Sequence, residues 1–422
     1  MIESLSKLIA FPSVAEPGNE EAPYGHTVKA ALEYVLELCD SLGFRTKNCD
    51  NRVGWAEIGD GDELVGILVH LDVVPAGDGW RYPPFECTLD DDRLYGRGTV
   101  DDKGPAIACI YAMKDILDSG SKCIRRIRLI FGQTEEVGEW TDMQAYQQTE
   151  DMPTFGFTPD AFFPAIYGEK GIAFVKLSMP LESSGIVRIT GGNAVNMVAD
   201  HCKAVIRSSD GKLIELDAAG VSAHGSMPEL GHNAITILMD TAYDMHSNGK
   251  IDCPLAVFYK EKIGDCLNGE KIGCAISDEQ SGKLTFNVGM IESDENVVDI
   301  HVDIRYPVAY TADDVLARLE REVTSYGLSV SIEENSLPVY MDKDGPVIGT
   351  LLEAYSEVTD DRSEPLVIGG GTYARAMGNI VAFGPLLPGR ESVEHMPNEY
   401  ISVEDLEMIR KIYRLALMKM AT

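Results

Sequence analysis

Leu64-Val65-Gly66-Ile67-Leu68-Val69-His70-Leu71-Asp72-Val73-Val74-Pro75 is a short apolar run that ends abruptly in a His-x-Asp. Nothing polar interrupts Leu64 to Val69, so the run has the length of a strand and no wet face, which is the pattern of a strand inside a covered parallel sheet. Ile127 to Phe131 is a second run of strand length, and Ala106 to Leu117 between them reads as a helix. Upstream, Val28, Ala31, Leu32, Val35, Leu36, Cys39 and Leu42 recur at helical spacing until Gly43 ends the pattern. Strand, helix, strand in this order predicts an α/β domain with a mostly parallel central sheet covered on both faces.

In an open α/β sheet, ligands bind beyond the carboxyl ends of the strands, and His70-Leu71-Asp72 lies there. A lone His-x-Asp is ordinary in a surface loop, but the second strand repeats the arrangement by running into Gly132-Gln133-Thr134-Glu135-Glu136. Adjacent carboxylates at such a place repel each other unless a cation lies beside them. Between the strands, Gly96-Arg97-Gly98-Thr99-Val100-Asp101-Asp102-Lys103-Gly104-Pro105 brings an acidic pair into a glycine-bearing loop ahead of a helix. Phe157-Thr158-Pro159-Asp160 and Glu394-His395-Met396-Pro397-Asn398-Glu399 add further donors. Together these loops offer mixed nitrogen and oxygen ligands, a set that suits two Zn ions, or Mn or Co, better than Ca or Mg.

The pattern changes further on. Val298, Ile300, Val302 and Ile304 alternate with Asp299, His301, Asp303 and Arg305, which predicts a strand with one wet face. Thr311 and Asp314 form a capping-box signal ahead of a helix over Val315 to Tyr326. A one-sided antiparallel sheet with helices on its back is a different architecture from the first half. After about residue 338 the earlier alternation returns, with a helix at Val347 to Val358, a strand at Ile380 to Phe383, and a final helix signalled by Ser402 and Asp405. The organisation read from this is a discontinuous catalytic domain, 1–175 and 338–422, interrupted by an inserted α+β lid at 176–337.

Composition narrows the role. The 422 residues carry 36 Lys and Arg against 68 Asp and Glu, a net charge of -32, which repels phosphate backbones and anionic lipid. Nucleic-acid and membrane partners are therefore not expected. Met1 to Ala10 lacks the basic start and long apolar core of a signal peptide, and no stretch approaches the roughly 20 apolar residues that span a bilayer, so a cytoplasmic location is expected. The nine cysteines are scattered without a Cys-x-x-Cys pair and read as small buried hydrophobes.

His70-x-Asp72, Gly-Arg-Gly-x-x-Asp101-Asp102-Lys-Gly, Glu135-Glu136, Asp160 and His395 occur in the order of the dinuclear-metal peptidase superfamily that includes glutamate carboxypeptidase, aminoacylase and succinyl-diaminopimelate desuccinylase. The chain resembles that superfamily from about Leu5 to its end. Asp101 to Pro105, Asn196-Met197-Val198, Gly369 to Arg375, Val381 to Gly384 and His395-x-Pro-Asn-Glu399-Tyr400 resemble its bacterial dipeptidase branch, active on Xaa-His and β-alanyl dipeptides. The resemblance implies a phosphorylase/hydrolase-like catalytic domain and two divalent metal ions. It implies that Asp101 bridges the metals, that His70 and Asp160 complete one, and that Glu136 and His395 complete the other. Asp72 would orient His70, Glu135 would be the general base, and the Asp101–Asp102 peptide would be cis.

In the same terms, His224 within Gly220-Val221-Ser222-Ala223-His224-Gly225 would donate to the transition-state oxyanion, and Asn196 and Arg305 would hold the substrate's carboxylate. Gly369 to Gly371 lack the lysine and serine of a phosphate loop, so backbone contact with substrate by Gly370, Gly371, Thr372 and Arg375 is the expectation. With His224, Asn196 and Arg305 on the insert and the metals on the other domain, closure is expected to complete the site. The insert is longer than the dimerisation domain of the carboxypeptidase-like members and shorter than is usual for the dipeptidase branch; a monomer is favoured over a homodimer. The function implied is hydrolysis of dipeptides, with an N-acyl amino acid deacylase or desuccinylase as the alternative and a catalytically dead peptide-binding module as a remote one.

Overall fold

Every residue of the Leu64–His70 strand is buried, which is why its sequence shows no polar alternation. The computed structural model describes residues 1–138 and 140–422. The chain divides into two compact units, one of residues 1–167, 341–366 and 372–422 and the other of 168–340 with 367–371.

In the first unit the strands lie in the order Arg45–Cys49, Val53–Ile58, Arg126–Gly132, Leu64–His70, Phe155–Thr158, Ile380–Ala382, with Ile166 pairing next to Ala382. The central pairs are parallel and the edge pairs antiparallel, giving a mixed sheet that is parallel where it is most deeply covered. Leu68, Ile130 and Ile380 pack in one cluster with Met143 and Tyr146 of the Thr141–Thr149 helix. Ile67, facing the other way from Leu68, pairs with Phe157, whose ring lies 5.5 Å from Phe383 and 5.4 Å from Tyr413 of the Val403–Ala421 helix. That helix and Lys103–Asp118 pack together against the central strands. Arg128 breaks the apolar run of its strand yet is buried, because Glu57 stands opposite it in register and accepts from its guanidinium at 2.8 Å.

Register sets the level of the loops. His70 lies opposite Gly132, and Thr158 opposite Ala382, so the segments that follow all leave the same edge of the sheet. The Lys103–Asp118 helix starts in the next segment; its Lys103 is buried and donates to Phe11 O at 2.7 Å and Leu8 O at 3.3 Å. Burial lowers the Lys103 ammonium to about 7.

The second unit is an antiparallel sheet in the order Leu213–Ala219, His201–Arg207, Ile186–Gly191, Thr285–Ser293, Val297–Tyr306, Gly171–Pro180, Ser329–Ser336. Helices Ala234–Ser247, Pro254–Lys262 and Ala312–Val323 share its core with Val298, Ile300, Val302 and Ile304. The Thr311–Asp314 capping box forms, and the helix ends at Val323 with a 3-10 turn over Thr324–Tyr326.

One expectation is corrected here. Alternation places Asp303 and Arg305 on a wet face, but both are buried, at 0% and 3% exposure. Arg305 donates from Nε and Nη2 to the two oxygens of Asp303 at 2.7 and 2.8 Å, and from Nη1 to Gly369 O at 3.1 Å. Asn287, opposite Asp303 in register, donates to Met197 O at 3.0 Å. The segments around Met197 and Gly369 thus roof this end of the sheet, and the bidentate pair satisfies the charges they cover. No described helix is long and apolar enough to cross a membrane.

Candidate metal centre

At the carboxyl edge of the first unit's sheet, Asp101 lies between two imidazoles. Its Oδ1 is 2.9 Å from His70 Nε2, and its Oδ2 is 2.9 Å from His395 Nε2. Each imidazole has a second carboxylate: Asp160 Oδ1 lies 3.9 Å from His70 Nε2, and Glu136 Oε2 lies 3.1 Å from His395 Nε2. One donor atom each of His70, Asp101 and Glu136 falls within 4.8 Å of the others. His395 sits at φ +61, a left-handed conformation that turns its loop. The Asp101–Asp102 peptide is cis, and the Asp102 carboxylate accepts from the backbone N–H of His70 at 3.1 Å.

Asp72 acts at two points. Its backbone carbonyl lies 3.0 Å from His70 Nδ1, and its Oδ1 lies 3.5 Å from the same nitrogen. A carbonyl can only accept, so Nδ1 carries a proton, and Nε2 is the ring nitrogen left to face a cation. The Asp72 carboxylate also accepts from the N–H groups of Glu135 and Glu136, at 3.3 and 3.0 Å, and so holds the acidic pair in place.

The electrostatics are those of a site rich in negative charge. Burial pushes the Glu135 and Asp160 carboxyls upward, each further raised by neighbouring carboxylates, and Glu136 rises to about 7 for the same reasons. Burial also acts to raise Asp101, but hydrogen bonds from His395 and His70 outweigh it and hold that carboxyl below its usual range. Hydrogen bonds to Asp101 and Glu136 raise the His395 imidazole to about 11.

These residues fit a pair of divalent cations. Glu136 Oε1 is buried and has no hydrogen-bond partner among the described residues, an orphan acceptor in a cluster already crowded with acceptors. The donors are imidazole nitrogens and carboxylate oxygens, the set that suits Zn, Mn or Co. His70 and Asp160 would hold one ion, His395 and Glu136 the other, and Asp101 both.

The second unit gathers a different group. Gly225 N–H donates to Asn196 O at 2.7 Å, and Met197 and His224 form an isolated β-bridge. His224 is exposed, with Nδ1 2.6 Å from Ser226 Oγ. A Cβ on Gly225 would collide with the Asp303 carboxylate, so Asn196, His224, Asp303 and Arg305 share one corner of this unit. Gly370 and Gly371 follow Gly369, the acceptor for Arg305, in the same unit. Thr372 and Arg375 belong to the first unit, where Thr372 caps the Tyr373–Ala376 turn.

Sequence reasoning gives no role to Arg97 and Glu399, although both fall inside quoted motifs. Glu399 is wholly buried and accepts from Arg97 Nη1 at 2.7 Å and from the N–H groups of Gly98, Val100 and Asp101 at 3.0, 2.8 and 3.3 Å. Arg97 Nη2 reaches the carbonyls of His395 and Pro75, at 3.2 and 3.4 Å. One buried ion pair therefore joins three ligand-bearing segments. The usable signal was a charged residue among the glycines of Gly96-Arg97-Gly98, where a solvated side chain needs no such company.

The model of Peptidase family M20/M25/M40 matches residues 66–419. A Staphylococcus haemolyticus protein that carries a provisional dipeptidase name is 34% identical, with 99% of this chain and 96% of that protein covered. Among solved structures, human carnosine dipeptidase 1 is similar with a TM-score of 0.64 at 17% identity, covering 100% of this chain and 95% of the other. An aminoacylhistidine dipeptidase from Vibrio alginolyticus is similar with a TM-score of 0.62 at 14% identity, over 100% and 96% of the two chains.

Proposed function

We propose, from the premise that the chain belongs to peptidase family M20/M25/M40, that it hydrolyses unblocked dipeptides at the centre built on Asp101. The chain is a hydrolase of the metallopeptidase kind. The observation that carries the reading is the division of labour at Asp101, whose two oxygens address separate His-plus-carboxylate pairs as a bridging ligand must. The dipeptidase name of its relative supports the substrate class.

Two divalent cations, Zn first and Mn or Co as alternatives, would supply Lewis acidity that polarises the scissile carbonyl and lowers the pKa of the attacking water. Glu135, next to ligand Glu136 and outside the Asp101 contacts, takes the water's proton on its carboxylate and returns it to the leaving amine. Asp72 keeps that carboxylate in place through the backbone of Glu135. We assign the oxyanion to His224, the substrate's carboxylate to Asn196 and Arg305, and further contacts with the substrate to Gly370, Gly371, Thr372 and Arg375.

Metal-loaded protein assayed on free dipeptides, blocked dipeptides and N-acyl amino acids tests the substrate class. Turnover of the free dipeptides alone is expected, and turnover confined to acylated amino acids would replace the reading with a deacylase. Glu135→Gln should keep both metals by elemental analysis and lose activity by roughly 100- to 10,000-fold. Parent-rate turnover by that variant would remove Glu135 as the base.

A further inference from the structure

Tyr373 is fully buried in the first unit, yet sequence pattern places it in a glycine-led stretch assigned to substrate. Its phenol donates a hydrogen bond to Asp142 Oδ2. The same carboxylate oxygen accepts from the N–H groups of Gln133 and Thr134 at 2.5 and 3.1 Å, while Oδ1 accepts from Thr134 Oγ1 at 2.8 Å and Met143 N–H at 2.7 Å. Gln133 and Thr134 lead directly into Glu135 and Glu136. At its other end Tyr373 donates its backbone N–H to Asp160 Oδ2 at 3.4 Å, and its ring meets the His70 imidazole edge-on with centroids 6.2 Å apart. Strand residue Gly132, opposite His70, has no room for a Cβ because the phenol oxygen occupies that space.

Packing alone does not call for this arrangement. Phe in place of Tyr373 would fill the same volume, and burying an aspartate beneath an aromatic cluster is costly unless its acceptors are used. Here both oxygens are used, and two of the three donors on Oδ2, the N–H groups of Gln133 and Thr134, belong to the segment that carries the proposed base and a proposed ligand.

We propose that Tyr373 and Asp142 form a positioning pair for the metal centre: Asp142 ties the Glu135–Glu136 segment to the Tyr373 phenol, and Tyr373 passes that constraint to Asp160 and His70. The proposal rests on the metal reading given above. Tyr373 touches neither the substrate nor the reacting atoms; it fixes where the ligands and the base stand. Partners that orient metal ligands from behind set metal affinity as well as activity, typically by 10- to 100-fold.

The test compares the full-length parent with Tyr373→Phe, each stripped of metal and titrated with Co2+, which reports its ligand geometry in the visible spectrum. Affinity and spectrum are followed alongside kcat and KM for a free dipeptide, well below the melting temperature. For Tyr373→Phe, Co2+ affinity is expected to fall roughly 10-fold or more with a shifted absorption envelope, and kcat to fall while KM holds. A Tyr373→Phe protein with a lower Tm but parent Co2+ affinity, spectrum and kcat would reduce the pair to a packing feature and overturn the proposal. Should that variant not fold, Asp142→Asn, which keeps one acceptor oxygen, decides on the same readouts in the same directions. A parent that binds no Co2+ would instead sink the metal reading.

Discussion

Arg97 and Glu399 have 1% and 0% of their side chains exposed, so each depends on the other for its charge. Truncating one member of such a pair leaves a buried charge uncompensated. Arg97→Met is expected to cost about 3–5 kcal/mol, read from the denaturant midpoint at unchanged slope. Adding Glu399→Leu should recover only part of the loss, because three loop N–H groups then lack their acceptor. A full recovery would show that the carboxylate holds only the guanidinium. His70, Glu136 and Asp160 stood out as ligand candidates because they are ionisable residues at or just past the ends of apolar strands, whereas Asp101 and His395 lie in loops and stood out through the motifs of the family resemblance. Arg97 and Glu399 did not, since their pairing spans a sequence separation of 302 that no local pattern reports.

Periodicity says which residues share a face of an element and says nothing about what covers that face. The Leu64–His70 strand was legible because both of its faces are covered and every position is apolar or terminal. Val297–Tyr306 was legible as a strand, but the burial of Asp303 and Arg305 was not, because the roof comes from residues near 197 and 369. Caps are local and were read correctly: Thr311 and Asp314 satisfy each other's backbone N–H groups, and Ser402 accepts from Asp405 N–H at 2.9 Å. Thr311→Ala should destabilise the second unit by about 1 kcal/mol, visible as faster amide exchange in the first turn of Ala312–Val323. Unchanged exchange there would mean that packing against the sheet alone holds the helix end.

At the scale of the molecule, the net charge of -32 has two components. Most carboxylates are dispersed, while Asp72, Asp101, Glu135, Glu136 and Asp160 converge on one edge of one sheet, a convergence that only strand register creates. Metal should therefore stabilise the first unit selectively. Free cation at 100 times its Kd adds about 2.7 kcal/mol per site, so calorimetry with and without chelator should move one transition and leave the other in place. A thermogram indifferent to chelation would count against the centre.

The path of the chain between the units also sets an order of events during synthesis. Phe155–Thr158 pairs in parallel with Ile380–Ala382, and the Val403–Ala421 helix closes over the same sheet, yet residues 168–340 of the second unit lie between these segments. On the ribosome the second unit is therefore nearly complete while the first still waits for a strand and its closing helix. Leu68 lacks its Ile380 neighbour and Phe157 lacks Phe383 and Tyr413 for that interval, which makes the half-built first unit the natural client of a holding chaperone and the stage at which expression is most prone to aggregation.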